Sequence, residues 1–445
     1  MNLFENLKKL DINNETIKIG VIGAGKFSSM YLSQVKKTPG IQLIGIADLN
    51  IEKAKKCLES IGWEKSLLKA KSLENAKKTK NIFFTDDSLS LIESSCIDLI
   101  IESTGDPLIG VDHALMCCKF GKHILMVNVE ADALVGPILK KKFDEAGLIY
   151  SLAYGDQPAL ICELVDWART SGFSVVSAGK GTKFLDMYHK STPDTVWDYY
   201  GISKNEAELG GMNAKMFNSF LDGTKSAIEM ASVANATGLG VPDGLSFPPI
   251  GVNDLANLLK PSEVGGILEK TGLVEVISSL KRDSKPVYRD LRWGVFVVFS
   301  TENDYVKRCF KEYGMPTDDS GYFSSMYKPF HLIGLELGIS VSNMILRKES
   351  TGSPICWNGD VVAVSKKALK AGDILDGEGG FKVYGKLVPS RKSRELDCFP
   401  LGLSNKVKLR NDIKEGEIIK FTDVNFDNNL NILKLRKDME NYFNI

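Results

Sequence analysis

Two periodicities share the first 150 residues. Short apolar runs at 17–22, 41–47, 97–102, 123–127 and 148–153 alternate with helix-like stretches. In one of these, Phe27, Met30, Tyr31 and Val35 fall at helical spacing. Apolar runs of this length suit parallel strands buried on both faces, and the stretches between them suit covering helices. The alternation predicts an α/β fold built on an N-terminal Rossmann-type, doubly wound parallel sheet.

Between the first run and its helix stands Gly23-Ala24-Gly25-Lys26-Phe27-Ser28, and Asp48 closes the second run. Gly23 permits a tight turn, and Gly25 lets a backbone approach a pyrophosphate at the positive end of a helix. Ser28 is small enough for close helix packing. Asp48 follows at roughly the 20-residue spacing from which a carboxylate reaches ribose hydroxyls. Strand, glycine turn, helix, strand and acid together predict a dinucleotide site.

Ligands of such sheets lie beyond the carboxyl ends of the strands. The cofactor-binding candidates are therefore Gly23, Gly25, Lys26, Phe27, Asp48, Ser103, Thr104, Gly105, Asn128 and Glu130, with the loop 154–158 beside them. Each loop taken alone also reads as ordinary turn chemistry. Asp48 repels a 2′-phosphate and no arginine adjoins it, which favours NAD; Lys53 and Lys55 keep NADP open.

From about residue 160 the pattern changes. Residues 161–170 read as a helix and 173–178 as a strand, followed by Gly179-Lys180-Gly181-Thr182-Lys183, read as a turn. Lys180 and Lys183 there are candidates to meet an anionic or carbonyl group, or are two surface lysines. A long helix is expected over 214–236, on which Asn218, Asp222, Lys225 and Glu229 form one polar stripe. A solvated face explains such a stripe as well. His189 is the histidine in the most polar setting, where a structural or exposed role is the ordinary reading. Near 350, Gly- and Pro-bearing turns appear, then short strands at 361–364, 381–384, 407–409 and 418–421. This predicts a small β-rich region. Its near-repeat, 368–375 echoed by 412–419, is hairpin chemistry.

Composition narrows the function classes. At 445 residues, three domains are expected: 1–160, 161–355 and 356–445. Lys+Arg and Asp+Glu both number 56, so no basic excess points to nucleic acid. The longest apolar runs, such as 293–299, fall far short of the roughly 20 residues of a membrane span. The N-terminus shows no signal-peptide core. The eight cysteines are scattered, and His113, His123, His189 and His331 lack metal-ligand spacing. A cytoplasmic protein with a small-molecule substrate is expected, as a homodimer or homotetramer, with no membrane or nucleic-acid partner.

Several segments carry a family resemblance: Gly23 and Gly25, then Asn128-Val129-Glu130-Ala131-Asp132, 154–160, 178–183, 217–225, 292–295 and 331–336. Through them the N-terminal two-thirds resembles homoserine-dehydrogenase-like NAD(P)-dependent oxidoreductases. The segment 356–445 resembles an SAF (antifreeze-like, β-clip) domain. The combination is similar to a bacterial family that includes deoxyxylulose-phosphate reductoisomerase-like enzymes of isoprenoid synthesis. The resemblance implies that Asp222 and Lys225 match the aspartate and lysine with which homoserine dehydrogenases bind the amino alcohol and move its proton. Lys225 is then the first candidate for proton transfer and Lys183 the second. The chain departs from that pattern at Val129, where those dehydrogenases carry a lysine after the asparagine.

The reductoisomerase-like alternative implies NADPH, a phosphate held by Lys180 and Lys183, and a divalent cation. Glu130, Asp132, Asp156 and Asp222 are its candidate ligands. The expected function is an NAD(P)-dependent oxidoreductase of a small polar hydroxy or oxo compound. A cofactor-bound protein that recognises a sugar or sugar acid without turnover is the non-enzymatic alternative.

Overall fold

The computed structural model describes residues 2–427 and 430–444. They form two compact units, Met1–Leu160 with Leu332–Pro354, and Ile161–His331 with Ile355–Ile445.

In the first unit, helix α1 (Leu3–Ile12) precedes β1 (Ile17–Ile22), α2 (Lys26–Val35), β2 (Ile41–Ala47), α3 (Ile51–Ser60), α4 (Leu73–Thr79) and β3 (Phe83–Thr85). Then come α5 (Ser88–Glu93), β4 (Leu99–Glu102), α6 (Pro107–Lys119), β5 (His123–Met126), α7 (Val129–Glu145) and β6 (Tyr150–Leu152). The sheet has the order β3-β2-β1-β4-β5-β6 with every pair parallel, the doubly wound topology that the alternation predicts. Ile19, Val21, Ile46, Leu99 and Leu125 are buried in its core.

The same core takes in Leu337, Val341 and Met344 from the later segment, which holds α15 (Gly338–Ser342). Thr351 Oγ1 donates to the Leu152 carbonyl at 2.8 Å, and the Leu152 amide donates to Gly352 O at 2.7 Å. A Cβ on Gly334 would stand 2.8 Å from the Phe27 carbonyl, so this glycine lets the segment lie directly on α2. The first compact unit thus includes residues beyond 160. Only the packing of apolar side chains some 200 residues distant produces that result.

Helix α8 (Gln157–Thr170) leads into β7 (Ser174–Thr182), α9 (Val196–Tyr200), α10 (Lys204–Leu209), α11 (Ala214–Leu221), α12 (Thr224–Thr237) and α13 (Leu255–Leu258). With β8 (Leu273–Ser278), β9 (Val295–Ser300), α14 (Asp304–Glu312) and β10 (Phe323–Lys328), these build a sheet of order β10-β9-β7-β8. Strand β8 runs parallel to β7, while β9 is antiparallel to both β7 and β10.

The chain ends in β11 (Gly359–Ser365), β12 (Ile374–Asp376), β13 (Val383–Pro389), α16 (Ser390–Glu395), β14 (Asn405–Leu409), β15 (Val424–Asn425) and α17 (Asn431–Tyr442). β11 pairs with β13, and β12, β14 and β15 form a second small sheet. This is the expected β-rich region, but it clusters with 161–331. The reason lies in α12, which is buried nearly all round. Asn235 Oδ1 accepts the amides of Asn358 and Gly359, and Thr224 Oγ1 accepts the amide of Gly385 at 2.8 Å. Among the described residues no helix is long and apolar enough to cross a membrane.

Two local readings are corrected. Residues 179–182 belong to β7, and a Cβ on Gly179 or Gly181 would run into the carbonyl of Glu275 or Leu291. These glycines serve close strand approach, not a turn. The expected helix over 214–236 is two helices, broken where Gly223 adopts φ 88° after Asp222.

Candidate functional site

The glycine turn of the first unit is built as its chemistry requires. Gly23 has φ 92°, and a Cβ there would lie 2.8 Å from Ser103 O, so β4 closes on the turn. Gly25 caps α2, and a Cβ on it would meet nothing within 4 Å. Open space therefore faces the free amides at the start of α2, a cradle suited to a pyrophosphate. Ser28 Oγ lies 2.8 Å from Ser103 Oγ, locking the helix to the end of β4. Lys26 and Phe27 open the helix.

Asp48 stands at the end of β2 and is bound to the turn itself. Its Oδ2 accepts the Ala24 amide at 2.7 Å, and its Oδ1 accepts the Asn50 amide at 2.8 Å. The carboxylate thus braces the glycine turn as well as supplying charge beside it.

Ser103, Thr104 and Gly105 follow β4, with Gly105 at φ 75°. Sequence reasoning missed what organises them, the wholly buried Glu102. Its Oε1 accepts the Thr104 hydroxyl at 2.6 Å and lies 3.3 Å from His113 Nδ1. Asn128 is buried and fully engaged: Oδ1 caps α7 by accepting the Ala131 amide, and Nδ2 donates to Asp106 O at 2.8 Å. It ties two loops together. Glu130 is half-buried on the first turn of α7.

The second unit gathers the other candidates at the α11–α12 junction. Asp222 is fully buried; Oδ2 accepts Lys366 Nζ at 2.7 Å and Oδ1 accepts the Thr224 amide at 2.9 Å. Asn218 Nδ2 donates to the carbonyls of Ser191 and Gly379. Glu229 accepts a hydrogen bond from Lys180, both buried. Of the expected stripe only Lys225 is half-buried, so the stripe is an internal network and not a solvated face. Nothing local in the sequence marks Lys366, which comes from the C-terminal strands.

Lys183 follows β7, donates to Tyr199 O at 2.5 Å and lies over the Tyr200 ring. Burial, with Arg292 nearby, pulls its ammonium below the ordinary lysine range. The four carboxylates expected to hold a divalent cation do not gather. Asp132 accepts the Tyr150 hydroxyl at 2.9 Å and Asp222 faces Lys366. Among the described residues no group of three His, Cys, Asp or Glu side chains is placed to hold a metal.

Comparison with known proteins follows the same division. Residues 17–126 match the model described as an oxidoreductase family with an NAD-binding Rossmann fold. Residues 155–337 match the model described as oxidoreductase DRL, catalytic domain. A stretch similar to NAD-binding oxidoreductase Rossmann domains thus precedes one similar to the DRL catalytic domain. No curated protein matches the chain.

Among solved structures, a myo-inositol dehydrogenase from Corynebacterium glutamicum is 16% identical over 41% of this chain and 48% of its own, with a TM-score of 0.28. The WlbA dehydrogenase from Bordetella pertussis, solved with NADH and UDP-GlcNAcA, is 17% identical over 38% of this chain and 47% of its own, with a TM-score of 0.27. The chain spans about half the length of these solved structures.

Proposed function

We propose that the chain is an NAD(P)-dependent oxidoreductase acting on a small polar hydroxy or oxo compound, and that it takes NAD ahead of NADP. The observation that carries this reading is the open cradle at Gly25, with the Asp48 carboxylate fixed beside it. Gly23, Gly25 and the first amides of α2 would hold the pyrophosphate, and Asp48 the ribose. When bound, the nicotinamide ring exchanges a hydride with the substrate carbon.

The protein's own side chains do the rest. Lys225, on the first turn of α12, takes or gives the hydroxyl proton; Lys183 holds an anionic or carbonyl group. The C-terminal strands, read as an SAF-like β-clip region, serve this site through Lys366.

Titration of the full chain with NADH and NADPH, followed by a turnover screen of homoserine, deoxyxylulose phosphate and sugar acids with both cofactors, tests the reading. NADH is expected to bind more tightly; binding of neither dinucleotide removes the proposal. Once a substrate is found, Lys225→Ala is expected to lower kcat and kcat/KM alike by roughly 10²-fold or more. Lys183→Ala is expected to act mainly on KM.

A further inference from the structure

Glu102 ends β4 with its side chain wholly buried, and its two oxygens are used unequally. Oε1 accepts the Thr104 hydroxyl at 2.6 Å and the Thr104 amide at 3.3 Å, and it faces His113 Nδ1 at 3.3 Å. Oε2 is buried and has no hydrogen-bond partner among the described residues. An orphaned buried oxygen weakens a fold, so stability alone gives no reason for an acid at this place.

The bonds around it run in one direction. A carboxylate oxygen accepts, so the His113 ring donates from Nδ1, and in the neutral ring Nε2 is then an acceptor. Ser88 Oγ stands 2.9 Å from Nε2 and donates to it. A relay thus runs from Ser88 at the start of α5, through His113 on α6, to Glu102 and so to Thr104. All four residues lie in the first unit.

The relay ends on one wall of the glycine turn. Ser103 Oγ lies 2.9 and 3.0 Å from the carbonyls of Ile22 and Gly23, and a Cβ on Gly23 would stand 3.2 Å from Thr104 Cα. Thr104 itself is exposed, so it meets the buried acid on one side and open space on the other.

Building on the dinucleotide site proposed above, we propose that Glu102 is a positioning residue for dinucleotide binding. Wholly buried, it acts through Thr104, while His113 and Ser88 hold it in place. The loop after β4 is thereby ordered before the dinucleotide arrives, so binding does not bear the entropy of ordering it. Affinity then depends on side chains of α5 and α6 that lie outside the glycine motif.

NADH titration by fluorescence, beside unfolding midpoints, tests this on the full chain. Glu102→Leu has no acceptor for Thr104, and its Kd should rise roughly tenfold, the order of ordering one loop side chain. Glu102→Gln keeps an oxygen for the Thr104 hydroxyl and should bind within about threefold of wild type. His113→Leu leaves acid and threonine in place and should raise the Kd by about three- to tenfold. In 15N-histidine-labelled wild type, long-range 1H–15N correlation reads the His113 ring, identified by the signal lost in His113→Leu. A proton on Nδ1 is expected. Wild-type NADH affinity in folded Glu102→Leu, a Glu102→Gln as weak as Glu102→Leu, or an Nδ1 without a proton overturns this assignment alone. Absence of NADH and NADPH binding in the wild type overturns the function and the assignment together. If Glu102→Leu fails to fold, the His113→Leu affinity and the wild-type ring decide the matter.

Discussion

Lys366 Nζ lies 2.7 Å from Asp222 Oδ2, and its remaining protons go to the carbonyls of Ser191 and Gly380 at 2.7 and 2.8 Å. Three donors meet three acceptors inside the protein, the condition under which a buried ammonium is tolerated. The pair joins residues 144 positions apart and pins the C-terminal strands to the turn that opens α12.

Removing one partner leaves the other charge buried and alone. Lys366→Met is expected to destabilise the second unit by about 3–5 kcal/mol, and Asp222→Asn combined with Lys366→Met by clearly less. Urea unfolding followed by tryptophan fluorescence reads this, since Trp167, Trp197, Trp293 and Trp357 all belong to that unit. Equal midpoints for wild type and Lys366→Met would show that the pair contributes nothing.

The two glycines of the dinucleotide turn should separate folding from binding. Gly23→Ala forces φ 92° on a side chain and presses it against Ser103 O, at a cost of roughly 1–3 kcal/mol. Gly25→Ala meets no neighbour, so its melting temperature should match wild type while its Kd for NADH rises more than about tenfold. Unchanged NADH affinity in Gly25→Ala would place the pyrophosphate elsewhere.

Asp48 combines a brace with a charge, and two variants tell them apart. Asp48→Asn can still accept the Ala24 amide, so it should shift preference towards NADPH by about tenfold, or ~1.4 kcal/mol. Asp48→Ala loses the brace and should weaken both dinucleotides. Fluorescence titration of the three proteins checks this, and an Asp48→Asn preference identical to wild type would remove Asp48 from cofactor discrimination.

His123 makes the first unit sensitive to acid. Its Nδ1 accepts the Ile149 amide at 3.0 Å, which requires an unprotonated nitrogen. Burial, with Lys348 assisting, lowers its pKa below the ordinary value near 6.5. The unfolded chain therefore binds the proton first as pH falls below about 6.5, and stability drops through that window, while above it the stability is fully present. In His123→Asn this part of the pH dependence should be missing. Unfolding midpoints of both proteins at pH 7.5 and 5.5 read the difference, and parallel losses would contradict it.

How much of this was legible depended on range along the chain. Five of the six strands of the first unit (all but β3), the turn at Gly23 and Gly25, and the acid at Asp48 follow from patterns contained within about 30 residues, because a βαβ unit is local. The β-rich character of the C-terminal region was legible for the same reason. Four features were not, and each depends on distant contacts. Gly179 and Gly181 imitate a turn until the neighbouring carbonyls of Glu275 and Leu291 are in place. Asn218, Asp222, Lys225 and Glu229 keep helical spacing on paper, yet the backbone breaks at Gly223, and Lys180 and Lys366 arrive from other elements to bury the stripe.

Leu337, Val341 and Met344 have the pattern of any amphipathic segment; only packing assigns them to the core of the first unit. His189 stands alone in sequence, and only the Asp222 carbonyl and the Tyr384 ring fix its tautomer and orientation. Local spacing alone therefore determined the strand, glycine turn and helix at Gly23 and Gly25 and the acid at Asp48. Which charges are paired and which segments share a core were decided by burial. Burial depends on residues brought together from more than a hundred positions away.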